Sequence, residues 1–87
     1  MSNKYHSRIY ITLRSSVLDP AGVAVQSGLK QLGYQEVEEV RIGKYVEMTF
    51  NATDEAKAKE KVDFICDRLL ANPVIENYSF ELTNISN

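Results

Sequence analysis

The chain has 87 residues, 44 % of them hydrophobic and 25 % charged, with a formal net charge of −2. That balance fits one small globular domain over residues 1–87, with an ordered core at about 5–83; it excludes a disordered tail, a disulfide scaffold and a general nucleic-acid binder, which needs many cations to neutralise phosphates. A chain this short buries only about 60–65 % of the surface its unfolded form exposes, enough for one modest core but not for a deep private cavity.

The first residues alternate apolar with polar side chains instead of forming the apolar run of a signal peptide. No stretch reaches the roughly 18 apolar residues that a membrane span requires. One cysteine, Cys66, leaves no internal disulfide, which fits a reducing, cytoplasmic setting.

In residues 5–13, Tyr5, Ser7, Ile9, Ile11 and Leu13 fall on one side of a period of two, and His6, Arg8, Tyr10 and Thr12 on the other. This predicts the first strand. After Ser15-Ser16, Asp19 reads as a helix N-cap and Pro20 as the first helical residue, where its missing N–H costs nothing. Ala21, Val25, Leu29 and Leu32 recur at helical spacing, Gly28 suggests close packing, and Gly33 sits where a left-handed cap closes a helix over 20–32. Residues 36–50 read as two strands broken at Gly43-Lys44. A bulge at Gly43 sets Ile42 beside Val46 and Val40 beside Met48, which keeps one face apolar. Thr53-Asp54 opens a second helix with Ala58, Val62, Ile65 and Leu69 as its stripe and Cys66 beside it. Asn72-Pro73 ends that helix, because proline disfavours helical geometry in the residue before it. A last strand at about 75–83 shows Tyr78, Phe80 and Leu82 on one face, and the polar end, 83–87, reads as frayed.

The order β-α-β-β-α-β predicts an α+β fold of two layers, a ferredoxin-like, four-stranded antiparallel sheet with two helices on one face. Its other face then presents Arg8, Tyr10, Tyr45, Glu47, Thr49 and Glu81, a tyrosine-and-charge mixture suited to a protein interface or to solvent.

Chemistry is sparse. His6 is the only histidine and has no cysteine or histidine cluster to join. Cys66 reads as a small core residue, and neither phosphate-binding glycine motif is present. Acylphosphatases share the element order and use an arginine in a phosphate loop after the first strand; Arg14 with Ser15 and Ser16 is a faint echo of it. RNA-recognition folds share the order too, but Glu47 and Glu81 accompany Tyr10 and Tyr45, and the aromatic signature is missing.

Four stretches together carry a resemblance: residues 17–22 (VLDPAG), 32–34 (LGY), 40–47 (VRIGKYVE) and 66–78 (CDRLLANPVIENY). In this order and spacing they resemble the PurS family, small subunits of phosphoribosylformylglycinamidine synthase, over nearly the whole chain. The resemblance implies a non-catalytic chain, a dimer or tetramer, that joins a glutaminase subunit to a large synthetase subunit and helps shield the ammonia passing between them. It implies no catalytic residue, cofactor or metal on this chain; ATP and Mg2+ are used by the complex and carried by the synthetase. Family members commonly have Pro-Gly where this chain has Ser15-Ser16, which implies a looser loop. Arg41 and Lys44 at the hairpin are candidates for ion pairs with a partner, and Asp19, Pro20, Gly33, Gly43, Asn72 and Pro73 for structural positions. Two other readings stay open from the residues alone: a dimeric ferredoxin-like module that senses a small ligand, and an acylphosphatase-like enzyme built on Arg14.

Overall fold

A computed structural model describes residues 2–86. Strand β1 (Asn3–Leu13) lies at the centre of a three-stranded antiparallel sheet, between β2 (Gly43–Ala52) and β3 (Glu76–Asn84). Register places Ile9 opposite Val46 on one side and Phe80 on the other. The alternation of β1 therefore sends Tyr5, Ser7, Ile9 and Ile11 into the core, all of them buried. Val46, Met48, Phe50, Tyr78, Phe80 and Leu82 flank them on the same face. Each fully buried aliphatic side chain here stabilises the fold by about 2 kcal/mol.

Helix α2 (Glu55–Ile65) covers this face. Asp54 caps it by accepting from the Lys57 N–H at 2.8 Å, and Ala58, Val62 and Cys66 are fully buried four residues apart. The anticipated stripe included Leu69, which is instead 78 % exposed. The cause is a π-turn over Cys66–Leu70, closed by the Ala71 N–H donating to the Cys66 carbonyl at 2.9 Å. A wider turn rotates Leu69 away from the sheet and leaves Leu70 and Ala71 against the core. Tyr78 on β3 donates to Asp63 Oδ1 of α2 at 2.7 Å, tying the two layers together.

Helix α1 (Pro20–Gln31) behaves differently. Its end follows the expected pattern: Gly33 has φ 101°, and the Gly33 and Tyr34 N–H groups donate to the Lys30 and Leu29 carbonyls, a Schellman closure. Yet α1 makes no substantial contact with the sheet or with α2. Only Gly22 is buried, while Val25 and Leu32 of the expected apolar face are 43 % and 75 % exposed. No atom lies near enough to Gly28 to explain that glycine by packing.

Two expectations are corrected. The sheet has three strands, because residues 36–42 are irregular and β2 begins at Gly43. The backbone there is diverted: the Ile42 N–H goes to Asp19, and the Arg41 side chain reaches back across the start of the excursion. Gly43 is accordingly no turn residue but the first of a strand, where an added Cβ would lie 2.5 Å from the Ile11 carbonyl oxygen. The polar end is not frayed either, since β3 runs to Asn84 and the Ile85 N–H donates to the Lys4 carbonyl; position 87 lies outside the described residues. The α+β, ferredoxin-like class stands, with α2 on one face of the sheet.

Residues 14–42 thus leave and rejoin the sheet at one end, since Thr12 pairs with Gly43. The molecule is 55 Å long and 14 Å in its thinnest direction. That length matches an 11-residue strand and a 12-residue helix laid end to end, about 37 and 18 Å. The radius of gyration is 17.0 Å, against about 12 Å for a compact chain of this length.

Candidate functional site

Two surfaces stand out by what they leave exposed. The first is the sheet face opposite α2. Register lines up Arg8 between Glu47 and Glu81, and Tyr10 between Tyr45 and Ser79. The rings of Tyr10 and Tyr45 lie 5.4 Å apart and tilted by 36°, and the Tyr10 hydroxyl donates to Glu81. His6 pairs with Glu47 at 2.9 Å through Nε2 and meets the Thr49 hydroxyl at 3.1 Å through Nδ1. The hydrogen bond to Glu81 pushes the Tyr10 phenol above its ordinary pKa. Desolvation and the nearby Glu47 do the same at Tyr45. Both rings therefore stay neutral donors at physiological pH. Tyr45 remains 52 % exposed, Tyr10 39 %.

The second surface is the arm, residues 14–42, and its root. Asp19 caps α1 by accepting the Gly22 N–H on Oδ1 at 3.0 Å, and accepts the Ile42 N–H on Oδ2 at 2.8 Å. These two donors hold its carboxyl below the usual range, with Arg41 contributing. Arg41 Nη2 lies within 3.3 Å of the Leu13 carbonyl, 2.9 Å of Arg14 and 3.2 Å of Val17. It spans the Ser15-Ser16 loop, so the loop is held from outside by one guanidinium. Arg14 itself donates to the Pro73 carbonyl through Nη2 at 2.6 Å, which leaves it turned toward a backbone oxygen and not toward a phosphate loop. Leu18, Val23, Val25, Leu32, Tyr34 and Ile42 lie exposed on and around the arm.

The residues singled out in sequence therefore divide. Arg8, Tyr10, Tyr45 and Glu47 share the open face. Arg41 and Lys44 do not: Arg41 is at the root, and Lys44 lies on the α2 side of β2, 3.5 Å from Glu76. They are correspondingly not free hairpin cations. Asn72 makes an Asx turn to the Val74 N–H, and its own N–H donates to Glu76; that bond and Lys44 hold the Glu76 carboxyl below its usual range. Pro73 lends its carbonyl to Arg14. Cys66 is fully buried, and desolvation pushes its thiol pKa up, away from reactivity. Gly22 was not singled out for a role, yet a Cβ there would lie 2.2 Å from the Val40 carbonyl oxygen. A glycine in the first turn of a helix, two residues after Pro20, was the signal that another backbone passes close by. Among the described residues no cluster of three metal-ligating side chains occurs, and no helix is long and apolar enough to cross a membrane.

The structure is thus a ferredoxin-like α+β domain with an uncovered tyrosine-and-carboxylate sheet face and an arm that exposes apolar side chains. Residues 6–84 match the PurS family, phosphoribosylformylglycinamidine (FGAM) synthase. The chain belongs to the PurS family of FGAM synthase subunits, components of a ligase of purine biosynthesis. It is 68 % identical over 83 residues to the PurS subunit of Synechocystis sp., an alignment covering 95 % of this chain and 83 % of that one. The Bacillus subtilis PurS structure superposes with a TM-score of 0.80 at 44 % identity, over 92 % of this chain and 99 % of that one. A chain of the PurLQS structure from Thermotoga maritima does so with a TM-score of 0.84 at 31 % identity, over 92 % and 98 %.

Proposed function

We propose that this chain acts as one PurS-like unit that has no active site of its own, pairs with a second copy through its arm, and joins the glutaminase and synthetase subunits of FGAM synthase. The observation that carries the self-pairing is surface. The chain exposes 6177 Å2, about 1,000 Å2 more than the roughly 5,200 Å2 of a compact 9.9 kDa monomer. A stable interface removes about 800 Å2 from each partner, so one copy of the arm, covered once, accounts for the excess. Residues such as Leu32 and Val25 are apolar enough to form the centre of that contact, and the open face with Arg8, Tyr10, Tyr45 and Glu47 is left to meet the larger subunits.

In this reading ATP and Mg2+ bind on the synthetase, glutamine on the glutaminase, and the chain works in the cytoplasm, shielding the ammonia that passes between them. The relative from Thermotoga maritima, seen within PurLQS, supports the assembly. Sedimentation equilibrium should give at least a dimer at micromolar concentration. Mixed with the two larger subunits, glutamine and Mg-ATP, the chain should co-elute with both. A chain that joins neither ends the bridging reading. Ammonia escaping to solvent at the same rate with and without the chain ends the shielding reading.

A further inference from the structure

Helix α1 makes no substantial contact with the sheet or with α2, so the arm's direction is set where the chain passes out and back. There the two passages are tied to each other. One carboxylate, Asp19, accepts from Gly22 on the outgoing side and from Ile42 on the returning side. One guanidinium, Arg41 on the returning side, meets three outgoing carbonyls, those of Leu13, Arg14 and Val17. Between them Gly22 lets the Val40 carbonyl approach to a distance that no side chain would permit. Asp19 is only 4 % exposed, so its charge is committed to this junction and not to solvent.

We infer that Asp19 and Arg41 are positioning residues for self-association: a two-residue clasp that fixes the angle at which the arm leaves the sheet, so that a second copy meets a formed surface. The inference rests on the pairing proposed above and goes beyond it, because it assigns the interface geometry to residues at the arm's root instead of to the apolar contacts. A surface held in its bound form loses less conformational freedom on association, and that difference appears as affinity.

Asp19→Asn separates this role from helix capping. Asparagine caps as well as aspartate, so its one side-chain oxygen can retain the Gly22 N–H, but its amide nitrogen cannot accept from Ile42. Arg41→Gln removes the three-carbonyl contact without touching the cap. For each variant, the dissociation constant of the full-length protein is read by sedimentation velocity over a dilution series. Hydrogen exchange is followed in parallel for the amides of α1 and of β1. Both variants should weaken self-association by roughly ten-fold or more, the size expected when preorganisation is lost, and should speed exchange in α1 while β1 stays protected. Wild-type self-association in both variants, with β1 protected, overturns the clasp and leaves the pairing reading intact. A wild-type chain that is monomeric at every concentration overturns both. Loss of β1 protection in both variants would make the clasp part of the fold itself, which also overturns the inference. Leu32→Asp is the control: it should abolish pairing while α1 exchange in the monomer stays as in wild-type monomer.

Discussion

The body and the arm of this molecule use similar residues in opposite ways. In the body, an i, i+4 row of Ala58, Val62 and Cys66 lies against the alternating residues of β1, and all three are fully buried. In the arm, a row of the same kind, Val25, Leu29 and Leu32, meets neither the sheet nor α2 in any substantial contact, and Val25 and Leu32 lie exposed. Amphipathic spacing says that a face must be covered; it does not say by which chain. In the body the cover is local. In the arm the body supplies none, and the pairing proposed above assigns the cover to a second copy.

The sharpest way to break this comparison is to place one charge in each region. Val62→Asp puts an unpaired carboxylate in the core and should cost more than about 4 kcal/mol, enough to unfold so small a domain, as circular dichroism would reveal. Leu32→Asp, 75 % exposed in the arm, should change the unfolding free energy of dilute monomer, read by urea titration, by no more than about 0.5 kcal/mol. Equal effects would erase the distinction between the two regions.

At the boundary between them, Gly43→Ala would drive a methyl group toward the Ile11 carbonyl oxygen, 2.5 Å away. Overpacking of this kind costs about 2 kcal/mol, and exchange should rise first at the sheet end that carries the arm. Within the body, Tyr78→Phe removes the bond to Asp63, with an expected loss of about 1 kcal/mol. That bond raises the Tyr78 pKa to about 12. Its stabilisation is complete below the ordinary phenol value of about 10 and is lost as pH climbs from there through 12. The alkaline limb in that window should therefore fall more steeply in the wild type than in the phenylalanine variant, which keeps the raised phenols of Tyr10 and Tyr45. A small gain is expected at Ser7, whose hydroxyl is fully buried with no partner. Ser7→Ala should raise stability by about 0.5–1 kcal/mol, measured as a higher denaturation midpoint; a lower one would mean that the hydroxyl finds a bond.

Much of the body was legible because each of its signals is local. The period of two in β1 and β3 and the Asp54 cap each act over a few residues, and the elements they specify formed. What stayed hidden depended on distant partners. Val40 and Ile42 read as a strand by alternation, but Asp19, more than twenty positions earlier, takes the Ile42 N–H. Leu69 had the right spacing for an α-helix, and only the π-turn excluded it from the core. For the open sheet face, sequence identified Arg8, Tyr10, Tyr45 and Glu47 as one face, because pleating alone decides that. It placed Arg41 with the wrong neighbours, because a long flexible cation carries no sign of whether a partner chain or its own backbone will receive it.

The π-turn over Cys66–Leu70 has a consequence downstream. Helix and strand repeat with different periods, and the connection between them, residues 71–75, is short and tied down by Arg14 and Asn72. The one additional residue in that turn sets the phase in which β3 begins. Deleting it would close an ordinary helical turn, and every side chain of β3 would then arrive one step out of phase. Asn77, Ser79 and Glu81 would face α2, and Tyr78, Phe80 and Leu82 would face outward. The single widened turn thus serves as the offset that lets a helical code and a pleated code be read in the same frame.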